Sequence, residues 1–377
     1  MFPTLFVLGV QKAATTSLTK VLMSSEDVRV SADPSDALRS YETHYVQTCG
    51  VSSAAYSNMR LGDSDECSSA QYARRWVRAE SKPKSWPVEE QPPFARTAGV
   101  RPGLAKEDMS PEALRKLKLL EPTPNFLASP RSAAMLRALM PITLQPHARF
   151  IVSLREPADR MLSWYNHKRR QRYQVKTAAS VPNSFCILEG GRANGQAAGY
   201  VQADGSFFPS FDHTAACRLV EWERMSEGHR NELLPEASSI RGNIHSNPLT
   251  TGHYSVYLRM WLNSGWRRSQ FLVLSFSELT RPGSDALTRV RAFAGVAPFA
   301  VDGLPKENAA GFMNENPDAT QRRMCCATWE QLKAHFAAPN RELYAQLAED
   351  HRTAAVPPEE RPFDPFDEEK ECTSCAS

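Results

Sequence analysis

FPTLFVLGVQKAATTSLTKVLMSS, residues 2–25, carries the strongest fold signal in the chain. Phe2 to Val10 is a nearly unbroken apolar run, with Leu5, Phe6, Val7, Leu8 and Val10. A run of that length without polar alternation suits a parallel strand covered on both faces. Gly9 to Thr16 interrupts it with small and hydroxylated residues. From Thr16 to Ser25 apolar residues return at helical spacing, as Leu18, Val21 and Leu22. This is strand, tight loop, helix: the opening of an α/β sheet.

Beyond it, Val28–Val30 reads as a second short strand, and Phe150–Leu154 and residues 270–276 (QFLVLSF) as further buried strands. Between them the periodicity predicts helices over 111–120 (PEALRKLKLL), Arg131–Met140, Pro157 to about Tyr173, Ala215–Met225, a segment with Tyr254, Leu258, Trp261 and Leu262 on one face, Asp285–Phe293, and two more near 327–337 and 340–348. Pro157 stands at the first helical position, where its missing N–H costs nothing. Strands alternating with helices predict a three-layer, P-loop NTPase-like α/β fold with a central parallel sheet. Two stretches read as long insertions: about 50–110, dominated by Ser, Pro, Arg and Glu, and 174–250, rich in Gly, Asn and Ser. The domain then covers 1–350, and 351–377 is a loose Pro/Glu-rich tail.

Composition narrows the function classes. The 377 residues are 41% hydrophobic and 23% charged, enough for a sizeable core. Lys and Arg number 45 against 42 Asp and Glu, a net charge of +3, so any polyanion must be held by a local patch. No apolar run approaches the ~20 residues that span a bilayer, and no signal peptide is visible, so the chain as it stands reads as soluble. Eight cysteines are scattered without the spacing of a zinc site or a dense disulfide framework. Cys372 and Cys375 form one Cys-x-x-Cys, read as part of a solvated tail, although an oxidising lumen could pair some of the thiols.

The loop GVQKAATTSL, residues 9–18, has the makings of an anion site. Backbone N–H groups at a strand–helix turn point outward, Ala13 and Ala14 allow close approach, and Thr15, Thr16 and Ser17 add hydroxyls. A triphosphate loop would carry Gly-Lys-Ser/Thr before the helix. Here Lys12 comes earlier, and the strand at 150–154 ends in Arg155 rather than an aspartate suited to magnesium. The anion is therefore not read as a metal-bound triphosphate, and no metal is expected.

This loop, together with FIVSLREPADRMLSWYNH at 150–167, resembles the sulfotransferases that use 3′-phosphoadenosine 5′-phosphosulfate (PAPS). The family's Lys-x-x-x-Thr loop is matched by Lys12 and Thr16. Its Arg-x-Pro-x-x-Arg-x-x-Ser-x-Tyr motif is matched by Arg155, Pro157, Arg160, Ser163 and Tyr165. ETHYV (42–46), EPTPNFL (121–127) and GHYSVYLRMWL followed by FLVLSFSEL resemble further segments of the glycan-directed, heparan sulfate-type branch. One position departs: where that branch has a lysine near the acceptor, this chain has Pro122.

The resemblance implies roles. Lys12 would stabilise charge on the bridging oxygen of the phosphosulfate, and residues 12–17 would hold the 5′-phosphate, with helix capping an additional use for Thr15 or Thr16. Arg155 and Ser163 would bind the 3′-phosphate, and Arg322 and Arg323 could add contacts, or be solvated charges. Glu42 is favoured as the general base for the acceptor proton, as in the glycan branch, with His44 the alternate. Lys168, Arg169, Arg170 and Arg172 would hold a carbohydrate acceptor, one that could be polyanionic, against the simpler reading of a basic helix end; nucleic acid is not expected. The resemblance implies the Golgi lumen, with the cytoplasm as alternative. Two rivals stand beside the sulfotransferase reading: a nucleotide kinase-like P-loop enzyme, and a nucleotide- or glycan-binding module without turnover.

Overall fold

The computed structural model describes residues 2–30, 116–170, 200–201, 207–208, 210–224, 248–301, 303–305, 324–352, 363–366, 372 and 374. The chain divides into two compact units: one of residues 1–154, 258–307 and 347–364, the other of 155–257, 308–346 and 365–377.

The first unit is built on five parallel strands: β1 (Leu5–Gly9), β2 (Val28–Val30), β3 (Lys118–Glu121), β4 (Arg149–Leu154) and β7 (Phe271–Ser275), in the order β2-β3-β1-β4-β7. Each apolar run puts alternate residues on opposite faces, and both faces are covered. One face sends Leu5, Val7, Ile151, Leu272 and Leu274 against Leu18 and Leu22 of α1 (Thr15–Met23), Leu279 of α6 (Phe276–Thr280) and Val290 and Phe293 of α7 (Ala286–Ala294). On the other face Phe150 is the hub, its ring 5.2 Å from Phe6, 4.8 Å from Phe271, 5.3 Å from Trp261 and 4.9 Å from Trp266. The two indole N–H groups, buried with their rings, donate to the carbonyls of Leu127 and Ala133 at 3.1 Å. Ala133 belongs to α2 (Pro130–Leu139), and Trp261 to α5 (Tyr254–Asn263). The three-layer α/β architecture expected from the alternation is present.

Two local expectations are corrected. The helical reading of 111–120 fails at its end, because Lys118–Glu121 is strand β3, pairing with β2 through Val28↔Lys118 and with β1 through Leu5↔Leu120. Leu119 and Leu120 are both buried, and only a strand there satisfies the facing backbone groups of β1 and β2. The two helices expected at 327–337 and 340–348 are one, α8 (Cys326–Arg352), continuous through Pro339. A proline inside a helix costs about 3 kcal/mol. Leu332, Phe336, Leu343 and Leu347 form a single buried stripe along it, each worth roughly 1.5–3 kcal/mol, and that sum outweighs the proline.

The second unit gathers α3 (Pro157–Arg170), α4 (Phe211–Arg224) and the first part of α8 around Met161, Trp164, Tyr165, Phe211, Ala215, Trp329, Leu332 and Phe336. A two-stranded antiparallel ribbon joins β5 (Tyr200–Val201) and β6 (Phe207–Phe208). Described parts of the tail are not loose. Phe366 is buried, its N–H donates to the Tyr344 hydroxyl at 3.0 Å, and Cys372 is disulfide-bonded to Cys326 rather than left in a solvated Cys-x-x-Cys. Cys217 and Cys325 are disulfide-bonded as well. Among the described residues no helix is long and apolar enough to cross a membrane.

Inside this unit His253 is stacked on Trp222, ring centroids 4.6 Å apart, with its Nε2 3.3 Å from Nε2 of His335. Burial, and then the neighbouring His335, push its pKa down to about 3. The folded value lies below the unfolded one of about 6.5, so as pH falls the unfolded chain takes up this proton first. Stability from neutral His253 is therefore full above pH 6.5 and is lost between there and pH 3, by at most about 1.4 kcal/mol per pH unit. In His253→Phe, which keeps a flat ring on Trp222, urea midpoints measured from pH 7 to pH 4 should fall less steeply than in the wild type; equal slopes would show that His253 is not the group responsible.

Candidate functional site

The chain order places a switch point at β1: it leaves β1 toward β2 and β3 on one side and later adds β4 and β7 on the other. In open parallel sheets ligands are held outside the carboxyl ends of the strands at such a point. Residues 9–14 lie there. Val10 N–H donates to the carbonyl of Ser153 at 2.6 Å, and the buried Ser153 hydroxyl donates to the carbonyl of Ala13, so the loop is fastened to β4 at two places. Lys12 and Ala14 both have left-handed backbones, at φ 75° and 63°. Such residues make the tight reversal that points successive N–H groups the same way.

Helix α1 begins at Thr15 behind Ala14, and no side chain caps it. The N–H groups of its first turn have no intrahelical acceptor, and they carry the positive end of the helix dipole. Capping by Thr15 or Thr16 is therefore not what these hydroxyls do. Thr16 is exposed, Thr15 and Ser17 are buried, Ala13 is buried and Lys12 half-buried. A lysine, uncapped amides and hydroxyls on one short loop fit a phosphate or phosphosulfate group.

The EPTPNFL segment braces the same loop from the other side. Leu127 N–H donates to the carbonyl of Leu8 at 2.9 Å, and the Thr123 hydroxyl donates to Glu121 Oε1 at 2.5 Å, with both of those side chains fully buried. Gly9, at φ 131°, passes so close to Pro124 that a Cβ would stand 2.0 Å from its carbonyl oxygen. Pro122 is buried in this brace.

Arg155 follows β4 directly along the chain. Its own carbonyl accepts a 2.8 Å hydrogen bond from the Tyr254 hydroxyl, and burial holds its guanidinium pKa below the usual value. The same burial pushes Tyr254 up to about 12, so it stays a donor at neutral pH. Ser163 is half-buried two turns into α3. Two other residues of the second motif are structural. Arg160 is buried, donating to the Pro248 carbonyl at 2.5 Å and to Thr251 Oγ1 at 2.7 Å, and Tyr165 packs edge-on against Phe211 in the core.

Glu42, His44, Arg172, Arg322 and Arg323 lie outside the described residues. Lys168, Arg169 and Arg170 are on the last turn of α3, and their side chains lie outside the described part as well. The sequence reading missed Ser153 and Tyr254 as positioning residues. Ser153 had a signal, the one polar residue in the apolar run FIVSL. Tyr254 had none, since it reads as an ordinary member of an apolar helix face.

The brace generates an expectation at Gly9. Gly9→Ala would meet the Pro124 carbonyl and an unfavourable backbone at once, so the loop must shift. Donor-nucleotide affinity measured by calorimetry should fall about 10-fold or more, the consequence of misplacing roughly one charge-assisted hydrogen bond; wild-type affinity would show that the loop tolerates displacement.

The comparisons with known proteins bear on this geometry. The family model described as the sulfotransferase domain matches residues 3–317. Among solved structures, a sulfotransferase from Alicyclobacillus acidocaldarius is similar at 16% identity over 92% of this chain and 96% of that one, with a TM-score of 0.46. No curated protein matches. A family match that takes in both the loop after β1 and the Arg155–Ser163 segment means that the chain belongs to the sulfotransferase domain family and is a PAPS-dependent sulfotransferase.

Proposed function

We propose that this sulfotransferase moves the sulfuryl group of PAPS in line onto a hydroxyl or amine of a carbohydrate. The observation that carries the donor side is the uncapped, lysine-bearing loop between β1 and α1, clamped to Ser153 and braced by Pro124. Residues 12–17 hold the 5′-phosphosulfate end. Arg155 and Ser163, with Arg322 and Arg323 in support, hold the 3′-phosphate through donors that carry or favour charge complementarity. In transfer, the bond from sulfur to the bridging oxygen breaks as the acceptor's oxygen or nitrogen bonds to sulfur. The departing bisphosphate gains negative charge, which the Lys12 ammonium stabilises. Glu42 takes the acceptor's proton, and a carboxylate suits this when partial burial raises its pKa.

The acceptor class rests on the ETHYV, GHYSVYLRMWL and FLVLSFSEL segments and on the cationic run Lys168, Arg169, Arg170 and Arg172. In a chain of net charge +3 that run makes a local field suited to an anionic glycan. Because Pro122 is buried and has no cation, acceptor contacts made by lysine in the glycan branch come from elsewhere here. The Golgi lumen is the proposed compartment: the disulfides at Cys326–Cys372 and at Cys217 and Cys325 belong to an oxidising environment.

Two variants separate the roles. Lys12→Ala should lower turnover roughly 100-fold or more with a smaller change in nucleotide affinity. Glu42→Gln should lower it roughly 10²–10⁴-fold with donor binding intact. Both are read with labelled PAPS and a panel of glycan acceptors. An active Glu42→Gln beside an inactive His44→Ala would transfer the base to His44, and an undiminished Lys12→Ala would remove the lysine from the chemistry.

A further inference from the structure

At the amino ends of the strands, within the first unit, lies a cavity of about 460 Å³ that the sulfotransferase reaction does not use. Lys118 begins β3, Arg149 begins β4, His147 precedes β4, and Arg267 and Ser269 precede β7; all line it, together with Thr4 before β1. Among the described residues no aspartate or glutamate does. The parallel sheet explains the gathering, since it brings the starts of neighbouring strands to one edge and thereby collects residues distant in sequence.

Among the described residues nothing neutralises the charge there. None of the four basic side chains makes an ion pair with a described residue. Arg149 instead lies 5.8 Å from the centre of the Phe293 ring, which leaves its charge uncancelled. Other arginines of this unit are paired: Arg268 with Asp350 at 2.6 Å, Arg289 with Glu278, and Arg281 with Asp364 at 3.1 Å. The end of α7 also lines the cavity and brings about half a negative charge. Its last carbonyls already accept from the Gly295 N–H. Three permanent cations and an imidazole outweigh it. Lys118 and Arg149 are half-buried and Arg267 and His147 exposed, so the hollow is open to a ligand from solvent.

We propose that this cavity is a second, non-catalytic binding site for an oligoanion carrying two or more sulfate or phosphate groups. Gathered like charges repel one another, and a multivalent oxyanion removes that cost while accepting from guanidinium, ammonium, imidazole and hydroxyl donors. The site is separate from the donor loop. Strand β4 runs six residues from Arg149 to Leu154, so the two ends of the sheet are roughly 17 Å apart at ~3.3 Å per residue. That is about twice the Debye length of about 8 Å at physiological salt, so solvent-exposed charges at the two sites are largely screened from each other.

The test uses the full chain at roughly physiological salt, with calorimetric titration of inorganic tripolyphosphate and of a heparin-derived tetrasaccharide. At least one should bind the wild type and Lys12→Ala with equal affinity. Affinity should fall about 10-fold or more in the Lys118→Gln/His147→Gln/Arg267→Gln variant, while thermal melting and PAPS affinity stay unchanged. Arg267→Glu, a single change at an exposed position, should weaken binding in the same direction and guards against a triple variant that folds poorly. Binding of tripolyphosphate assigns the site to phosphate-bearing ligands, and binding of the tetrasaccharide to sulfated sugars. Failure of both probes to bind the wild type, undiminished binding in both variants, or binding lost in Lys12→Ala would each overturn the proposal.

Discussion

The loop after β1 depends on the contact between β1 and β4. β4 pairs with one side of β1, while β3 and then β2 lie on the other. The adjacency of β1 and β4 brings Ser153 beneath the loop, where its hydroxyl and its carbonyl hold Ala13 and Val10. Without that clamp the left-handed turns at Lys12 and Ala14 would have little to maintain them, since non-glycine residues pay for that conformation. The backbone geometry of residues 12–17 is thus a product of strand order as much as of local sequence.

The same contact fixes what the hydrophobic layers must do. Phe150 stands at the centre of an aromatic group on one face of β4, while Ile151 turns to the helices α1 and α7 on the other. Covered on both sides, β4 is held rigidly and delivers Ser153 and then Arg155 at its carboxyl end. The indole N–H bonds of Trp261 and Trp266 let two large rings be buried without an unsatisfied donor. The placement of the loop after β1 is therefore inherited from a buried core.

The second sulfotransferase motif divides into two kinds of residue. Arg155 and Ser163 retain a reading as phosphate ligands, whereas Arg160 and Tyr165 are consumed by structure, through Pro248 and Thr251 in one case and Phe211 in the other. A motif read as a string treats these positions alike. Burial separates them: Arg160 is 3% exposed and Tyr165 1%, too enclosed to meet a soluble nucleotide. The buried Pro122 sorts in the same way, as part of the brace on Gly9 rather than a contact for the acceptor.

Residues 2–25 alone determined a buried strand, a loop built for an anion and the helix behind it, because unbroken apolar runs and period-3.6 spacing are local signals. The strand at 150–154, the arginine that follows it and the exclusion of a triphosphate loop were legible for the same reason. Other features were settled only by long-range contact. Lys118–Glu121 carries a helical pattern yet is strand, since two neighbouring strands needed their hydrogen bonds completed. Pro339 should end a helix, but a buried stripe on both sides of it carries α8 through. Cys372 finds Cys326 rather than Cys375, and Lys118, His147, Arg149 and Arg267 meet around one hollow. Pairings such as these join residues far apart in the chain, and no local pattern encodes which distant partner the folded sheet and helices will bring near.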